Sequence, residues 1–192
     1  MDKLTPTQER EKRIRDKLYT HEYMNKKKAY IVTTRFNNET WLENSNFRAR
    51  QSNKLGCIYC SPILTSSSIP PDSPMFVLEM NNDTDKIIGI GMVRNHPYTN
   101  YCSVYKNNNF NRYVYTGKYR IDRSEISEED DKILQAFDIM CFKGSRHMKR
   151  GHGITSFPPD MLSRCARTKM DLVDYLSNMF KKVINTKRQQ EI

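Results

Sequence analysis

Met75-Phe76-Val77-Leu78-Glu79-Met80, then Asn81-Asn82-Asp83-Thr84-Asp85, then Lys86-Ile87-Ile88-Gly89-Ile90-Gly91-Met92-Val93 is the passage that decides the fold. Two apolar runs with β-branched residues flank five residues of turn chemistry, so the passage reads as an antiparallel hairpin. Gly89 and Gly91 stand two apart and face one side of their strand. That leaves room for a bend or for the close approach of another backbone.

Upstream of the hairpin, Thr65 to Pro74 is a loop by its Ser and Pro content. Before it, Leu55 to Cys60 reads as a strand, Asn38 to Arg50 as a short helix carrying Trp41, and Ala29 to Thr34 as a β-branched and aromatic strand. Thr5-Pro6-Thr7-Gln8 is a capping box with proline at the first helical position, so a helix is expected from Pro6 toward Tyr23. Its apolar stripe is thin, as in a solvated helix lying on the domain or an arm that orders on a partner. Downstream, Tyr101 to Tyr105 and Arg112 to Ile121 are expected strands, the second with Tyr113, Tyr115 and Tyr119 on one face. Ser127 opens a helix with Ile133, Leu134, Phe137 and Met140 at packing positions. Pro158-Pro159 breaks the chain, and Thr168 to Asp171 caps a last helix carrying Leu172, Val173, Leu176, Met179, Phe180 and Val183. Strands in the middle and helices around them define an α+β class with a small barrel-like sheet. The expected organisation is a basic helix or arm over 1–28, a domain over 29–160 and a C-terminal helix packed on it over 161–192.

The chain has 192 residues and a net charge of +10, which suits one domain with tails and a polyanionic partner. The charge is unevenly placed. Residues 1–28 carry nine basic and five acidic groups, residues 29–140 twelve and thirteen, and residues 141–192 eleven and four. Seven glycines, with no Gly-rich Walker loop, exclude P-loop nucleotide hydrolysis. No run of about 18 apolar residues occurs and Met1 to Pro6 lacks the core of a secretory signal, so a cytoplasmic or nuclear site without a membrane partner is expected. Five cysteines, an odd set, suit a reducing compartment. Abundant Asn with Lys and Ile suggests an AT-rich genome, such as a protist's or a large cytoplasmic DNA virus's, whose factory or virion is then a further location.

The strand Tyr30-Ile31-Val32-Thr33-Thr34-Arg35-Phe36, the second strand with Ile58-Tyr59-Cys60-Ser61-Pro62, the Gly-x-Gly hairpin and the later Tyr115-Thr116-Gly117-Lys118-Tyr119-Arg120-Ile121-Asp122 resemble, in pattern and order, the PUA-like superfamily. Within it the resemblance is to the EVE and YTH domains that read modified nucleotides, over about residues 29–126. The resemblance implies a small β-barrel and a base held in an aromatic pocket. Tyr59 stands where YTH domains carry a Trp of the cage around methylated adenine. Trp41, or one of Tyr113, Tyr115 and Tyr119, is the expected second stacking group, with Thr34, the Cys60 backbone and Ser61 reading the base edge.

Lys143-Gly144-Ser145-Arg146-His147-Met148-Lys149-Arg150-Gly151-His152-Gly153 is the sharpest local feature, with four permanent cations in eight residues. Arg35, Lys143, Arg146, His147, Lys149 and Arg150 are the expected phosphate contacts; the plainer alternative is a solvated basic loop. Cys57-x-x-Cys60 has no second ligand pair at zinc-finger spacing, and residues three apart on a strand face opposite ways, so buried thiols and no metal or cofactor are expected. His147 and His152 beside cations would also suit a small nuclease, as some ASCH-type PUA-like proteins are. The expected function is a non-catalytic reader of RNA, ahead of single-stranded DNA. The alternatives are a basic packaging protein binding nucleic acid without selectivity, and the nuclease.

Overall fold

A computed structural model describes residues 5–51, 55–99 and 102–190. Helix α1 (Pro6–Asn25) starts at the capping box, with Thr5 Oγ1 accepting from the Gln8 amide and Gln8 Oε1 accepting from the Thr5 amide. Strand β1 (Tyr30–Phe36), helix α2 (Asn38–Ala49) and strand β2 (Cys57–Ser61) follow, then the hairpin of β3 (Pro74–Asn81) and β4 (Lys86–Arg94). The remainder runs β5 (Tyr113–Gly117), β6 (Tyr119–Asp122), α3 (Glu128–Phe142), β7 (Thr155–Ser156), α4 (Pro159–Arg167) and α5 (Leu172–Gln190).

The architecture is α+β, with a mixed five-stranded sheet in the order β6-β4-β3-β1-β7 and a second sheet of β2 and β5. Strand β1 runs parallel to β3, and every other pairing is antiparallel. Alternation along the strands builds two cores. Ile31, Phe76, Leu78 and Ile90 join Leu134 and Phe137 of α3 and Leu172, Leu176 and Phe180 of α5 in one. Val32, Phe36, Met75, Val77 and Val93 join Tyr59 of β2 and Val114 and Tyr115 of β5 in the other. The large sheet is therefore a middle layer, with α3 and α5 on one face and the small sheet, together with α2, on the other.

The expected barrel is not closed, and the reason lies at Lys118. Arg112 to Ile121, expected as one strand, is two: β5 pairs with β2, while β6 pairs with β4 in the other sheet. At the switch a Cβ on Gly117 would stand 2.0 Å from the Met92 carbonyl oxygen, so only glycine allows the crossing. The tyrosine stripe is divided with it. Tyr115 lies in the second core and Tyr119 packs against the first. Cys102 to Tyr105 form no strand, because the buried Asn111 side chain bonds the Val104 and Tyr105 amides and the Tyr105 carbonyl instead; Tyr101 lies outside the described residues. Asp171, rather than Thr168, caps α5 by accepting from the Asp174 amide; the Thr168 hydroxyl donates to the Cys165 carbonyl at the end of α4.

Candidate nucleic-acid interface

A cavity of about 130 Å³ opens where the end of β1 meets β2, the turn at Asn108–Asn111 and the basic loop. Thr34, Arg35, Phe36, Cys60, Tyr105, Phe110 and His152 contribute its chemistry. The volume is well below the roughly 300–1,000 Å³ of pockets for drug-sized ligands. It suits a single ring system.

Each wall has a local cause. Thr34 and Phe36 alternate onto the β1 face turned toward the small sheet. Asn44 of α2, fully buried, donates Nδ2–H bonds to the Ile58 carbonyl at 2.8 Å and to Tyr105 Oη at 3.0 Å, which fixes α2, β2 and Tyr105 together. Tyr105 meets Phe110 edge to face, with ring centroids 6.5 Å apart. Burial pushes the Tyr105 phenol well above its ordinary range, so it stays protonated.

Arg35 organises the opposite wall. Its Nε donates to the Met148 carbonyl at 2.5 Å, Nη1 to the Gly153 carbonyl at 3.2 Å, and Nη2 to Thr33 Oγ1 at 3.0 Å and Thr155 Oγ1 at 2.6 Å. The loop backbone lies on the guanidinium plane at Gly151, where a Cβ would come within 2.3 Å of Arg35 Cζ. Gly153 has φ +63°, and a Cβ there would meet Ser61 Oγ at 2.0 Å. These glycines seat the loop on Arg35 and Ser61. No carboxylate pairs with Arg35 among the described residues, and burial pulls its affinity for the proton below that of a free guanidinium. Arginine nonetheless remains charged. Four of its five N–H groups are committed, and an uncompensated positive charge faces the cavity.

The expected site residues divide sharply. Thr34, Cys60 and Arg35 line the cavity together with His152 of the loop. Tyr59 does not. It is 1% exposed, and its hydroxyl donates to Glu79 Oε1 at 2.6 Å inside the second core. Glu79 is itself fully buried and is held by Arg120 through Nε at 3.0 and 3.1 Å and Nη2 at 2.7 Å. Gly89 and Gly91 make room for this cluster, since a Cβ on Gly91 would stand 1.9 Å from Tyr59 Oη and one on Gly89 would stand 2.5 Å from Arg120 Nη2 and from Glu79 Oε2. Side chains and the Ile121 carbonyl, 2.9 Å from a Cβ on Gly89, occupy the space, and the β3–β4 register shifts beside it between Glu79 and Met80. Trp41 meets Phe36 edge to face at 5.2 Å and has the guanidinium carbons of Arg48 and Arg120 at 5.1 and 5.0 Å from its ring centroid, so cations already cover it. Ser61 is fully buried, and its hydroxyl donates to the Ile63 carbonyl beneath Gly153.

Within the basic loop, Lys143 and Arg150 are exposed with no ion pair among the described residues. Arg146 makes two bonds to Asp160, at 2.7 and 2.8 Å, and Lys149 pairs with Asp85 at 2.7 Å. These pairs are half exposed and weak enough for a phosphate to replace the carboxylate. His147 is partly buried, and its Nδ1 has no partner. Cys57 and Cys60 are both buried and free, and burial pushes the Cys57 thiol up to about 12. No group of His, Cys, Asp and Glu among the described residues is placed to hold a metal ion. Among them, too, no helix is long and apolar enough to cross a membrane.

The residues that sequence reasoning missed are Tyr105, Phe110 and the organising Asn44 and Asn111. Asparagines in a chain rich in them carried no signal that two would be buried. Comparisons with models of known protein families, with curated proteins and with solved structures return no match.

Proposed function

We propose that the protein is a nucleic-acid reader that takes one unstacked base into the cavity between β1, β2 and the basic loop, RNA being the favoured ligand. The observation that carries this reading is the meeting, in one small cavity, of three aromatic rings, an unpaired arginine charge and a histidine, at the end of a loop of cations. Phe110 and Tyr105 supply ring contact, worth about 1–3 kcal/mol per stacked base. Thr34 Oγ1 and the remaining Arg35 N–H face the base edge, with the Cys60 thiol beside them. Lys143 and Arg150 meet phosphates first, and Arg146 and Lys149 exchange their aspartates for them.

The cavity's lining includes no carboxylate. His152 therefore has no acid–base companion there, which supports binding rather than hydrolysis. The PUA-like relationship belongs to the same proposal, with the two packed sheets as an open version of that barrel and the ligand a modified base. The test is a titration of single-stranded oligonucleotides, modified and unmodified, with the wild type and Phe110→Ala at two salt concentrations. Phe110→Ala is expected to weaken binding about 5- to 150-fold, which is 1–3 kcal/mol, and to leave the salt slope unchanged. Equal affinity for the wild type and the variant would overturn the cavity assignment.

A further inference from the structure

A second groove lies between α1 and α4, of about 470 Å³, lined by Lys12, Asp16, Lys17, Thr20, Asp160, Ser163, Arg164 and Arg167. All eight lining residues are polar or charged. Its floor is a hydroxyl contact, Thr20 Oγ1 to Ser163 Oγ at 2.8 Å, that ties the two helices together. Arg167 Nη1 donates to Asp16 Oδ1 at 2.6 Å while its guanidinium carbon lies 4.0 Å from the centroid of the Tyr19 ring. Asp160 receives both Arg164 and Arg146. Lys12 and Lys17 are exposed and have no ion pair among the described residues.

Five cations thus meet two carboxylates, and the aspartates fix the guanidinium groups in place rather than neutralise the groove. The arginines lower the proton affinity of Asp160 and Asp16, so both stay ionised and keep that role at neutral pH. With no hydrophobic residue in its lining, the groove offers no seat for an apolar peptide side chain or an acyl chain, while its arginine planes and lysine stems suit a charged backbone. What remains is a run of negative charge with its own spacing. Arg146, bound to Asp160 at the groove's mouth, belongs to the loop that Arg35 holds over the cavity. We infer that the α1–α4 groove is a second binding site for the phosphate backbone, continuous through Arg146 with the cavity, so that a strand whose base enters the cavity lays its neighbouring phosphates along α4. This rests on the nucleic-acid reading above and adds to it a separate surface and a minimum ligand length.

The experiment uses the full chain and fluorescent oligouridines, one short and one about three times longer, between about 50 and 200 mM salt. The wild type should bind the longer strand more tightly and with the steeper salt slope. Lys12→Glu with Lys17→Glu should lower the slope for the long strand by roughly 1.4, at about 0.7 per lost contact on a single strand. It should weaken that binding at least tenfold and leave the short strand unaffected. Lys12→Gln with Lys17→Gln, which loses the same two contacts, should lower the slope by the same amount and weaken binding by less. Lys181→Glu with Lys182→Glu, which makes the same charge change on α5, should match the wild type. An unchanged slope for the long strand, or an equal loss in the α5 variant, overturns the second site while the cavity reading stands. Binding of neither strand by the wild type overturns both. Loss of binding to phosphatidylserine vesicles with oligouridine binding intact would assign the groove to a membrane surface and overturn it too.

Discussion

Gly91→Ala places a methyl group 1.9 Å from Tyr59 Oη and 2.7 Å from Tyr59 Cζ in a fully buried cluster. The ring has no free direction, because its hydroxyl is committed to Glu79 and its body is packed between the sheets. Relief requires that the phenol leave the carboxylate, losing a bond to a charged acceptor worth about 1.5–3 kcal/mol, or that the sheets separate, at the roughly 1–3 kcal/mol of an overfilled core. Either route costs about 1–3 kcal/mol, which for a chain of this size lowers the melting temperature by roughly 2–12 °C. Trp41 is the sole tryptophan and lies 5.0 Å from the Arg120 guanidinium of the same cluster, so its fluorescence follows urea unfolding where the damage occurs. Tyr59→Phe removes the nearest clashing atom. The double variant should therefore be more stable than the two single losses added together, by about 1 kcal/mol or more. A change for Gly91→Ala within about 0.5 kcal/mol of zero would place it with ordinary surface substitutions and refute this account of the Gly-x-Gly pair.

Arg35→Met should destabilise the fold by about 2–4 kcal/mol and raise amide hydrogen exchange across residues 144–153, because the carbonyls and hydroxyls it binds lose a charged donor; unchanged exchange there would show that the loop is seated by something else. Asp85→Asn, at a backbone position of φ 53° that asparagine tolerates, should free Lys149 from its competing carboxylate and tighten single-stranded binding by about 1.5- to 5-fold with the salt slope unchanged. Unchanged affinity would show that Lys149 does not meet phosphate. Burial raises the Cys57 and Cys141 thiols to about 12, so the folded chain keeps protons that an unfolded thiol loses near 8.5. Stability from these groups is complete below about pH 8.5 and declines by up to roughly 1.4 kcal/mol per pH unit per thiol as pH rises toward 12; denaturation curves that stay constant over that range would contradict the burial.

Local signals carried most of the fold. Capping residues placed α1 and α3, the spacing of Trp41, Leu42 and Phe47 placed α2, and the turn at Asn81 to Asp85 placed the hairpin, because those choices are made by neighbours in sequence. The parallel pairing of β1 with β3, the two-residue β7 and the partner change at Lys118 are made by contacts across the chain and left no local pattern. The cavity was legible in Thr34, Cys60, Arg35 and the loop of cations. It was misread at Tyr59 because an aromatic on a strand shows its period and not which side of it is covered. The Gly-x-Gly spacing announced a close approach, and only the identity of the buried partner, a Tyr–Glu–Arg cluster, lay beyond reach.

The hydroxyl contact between Thr20 and Ser163 spans 143 residues of chain, and β1 finds its edge partner only at Thr155 and Ser156. During synthesis the first helix and strand therefore leave the ribosome long before their partners exist. With the chain extending by about 5–20 residues per second, several seconds pass before α4 can meet α1. In that interval the basic N-terminal helix is present without its facing wall. Closure of the α1–α4 groove thus waits until α4 has been made, and a chain truncated before α4 would carry the cations of α1 without the surface that arranges them.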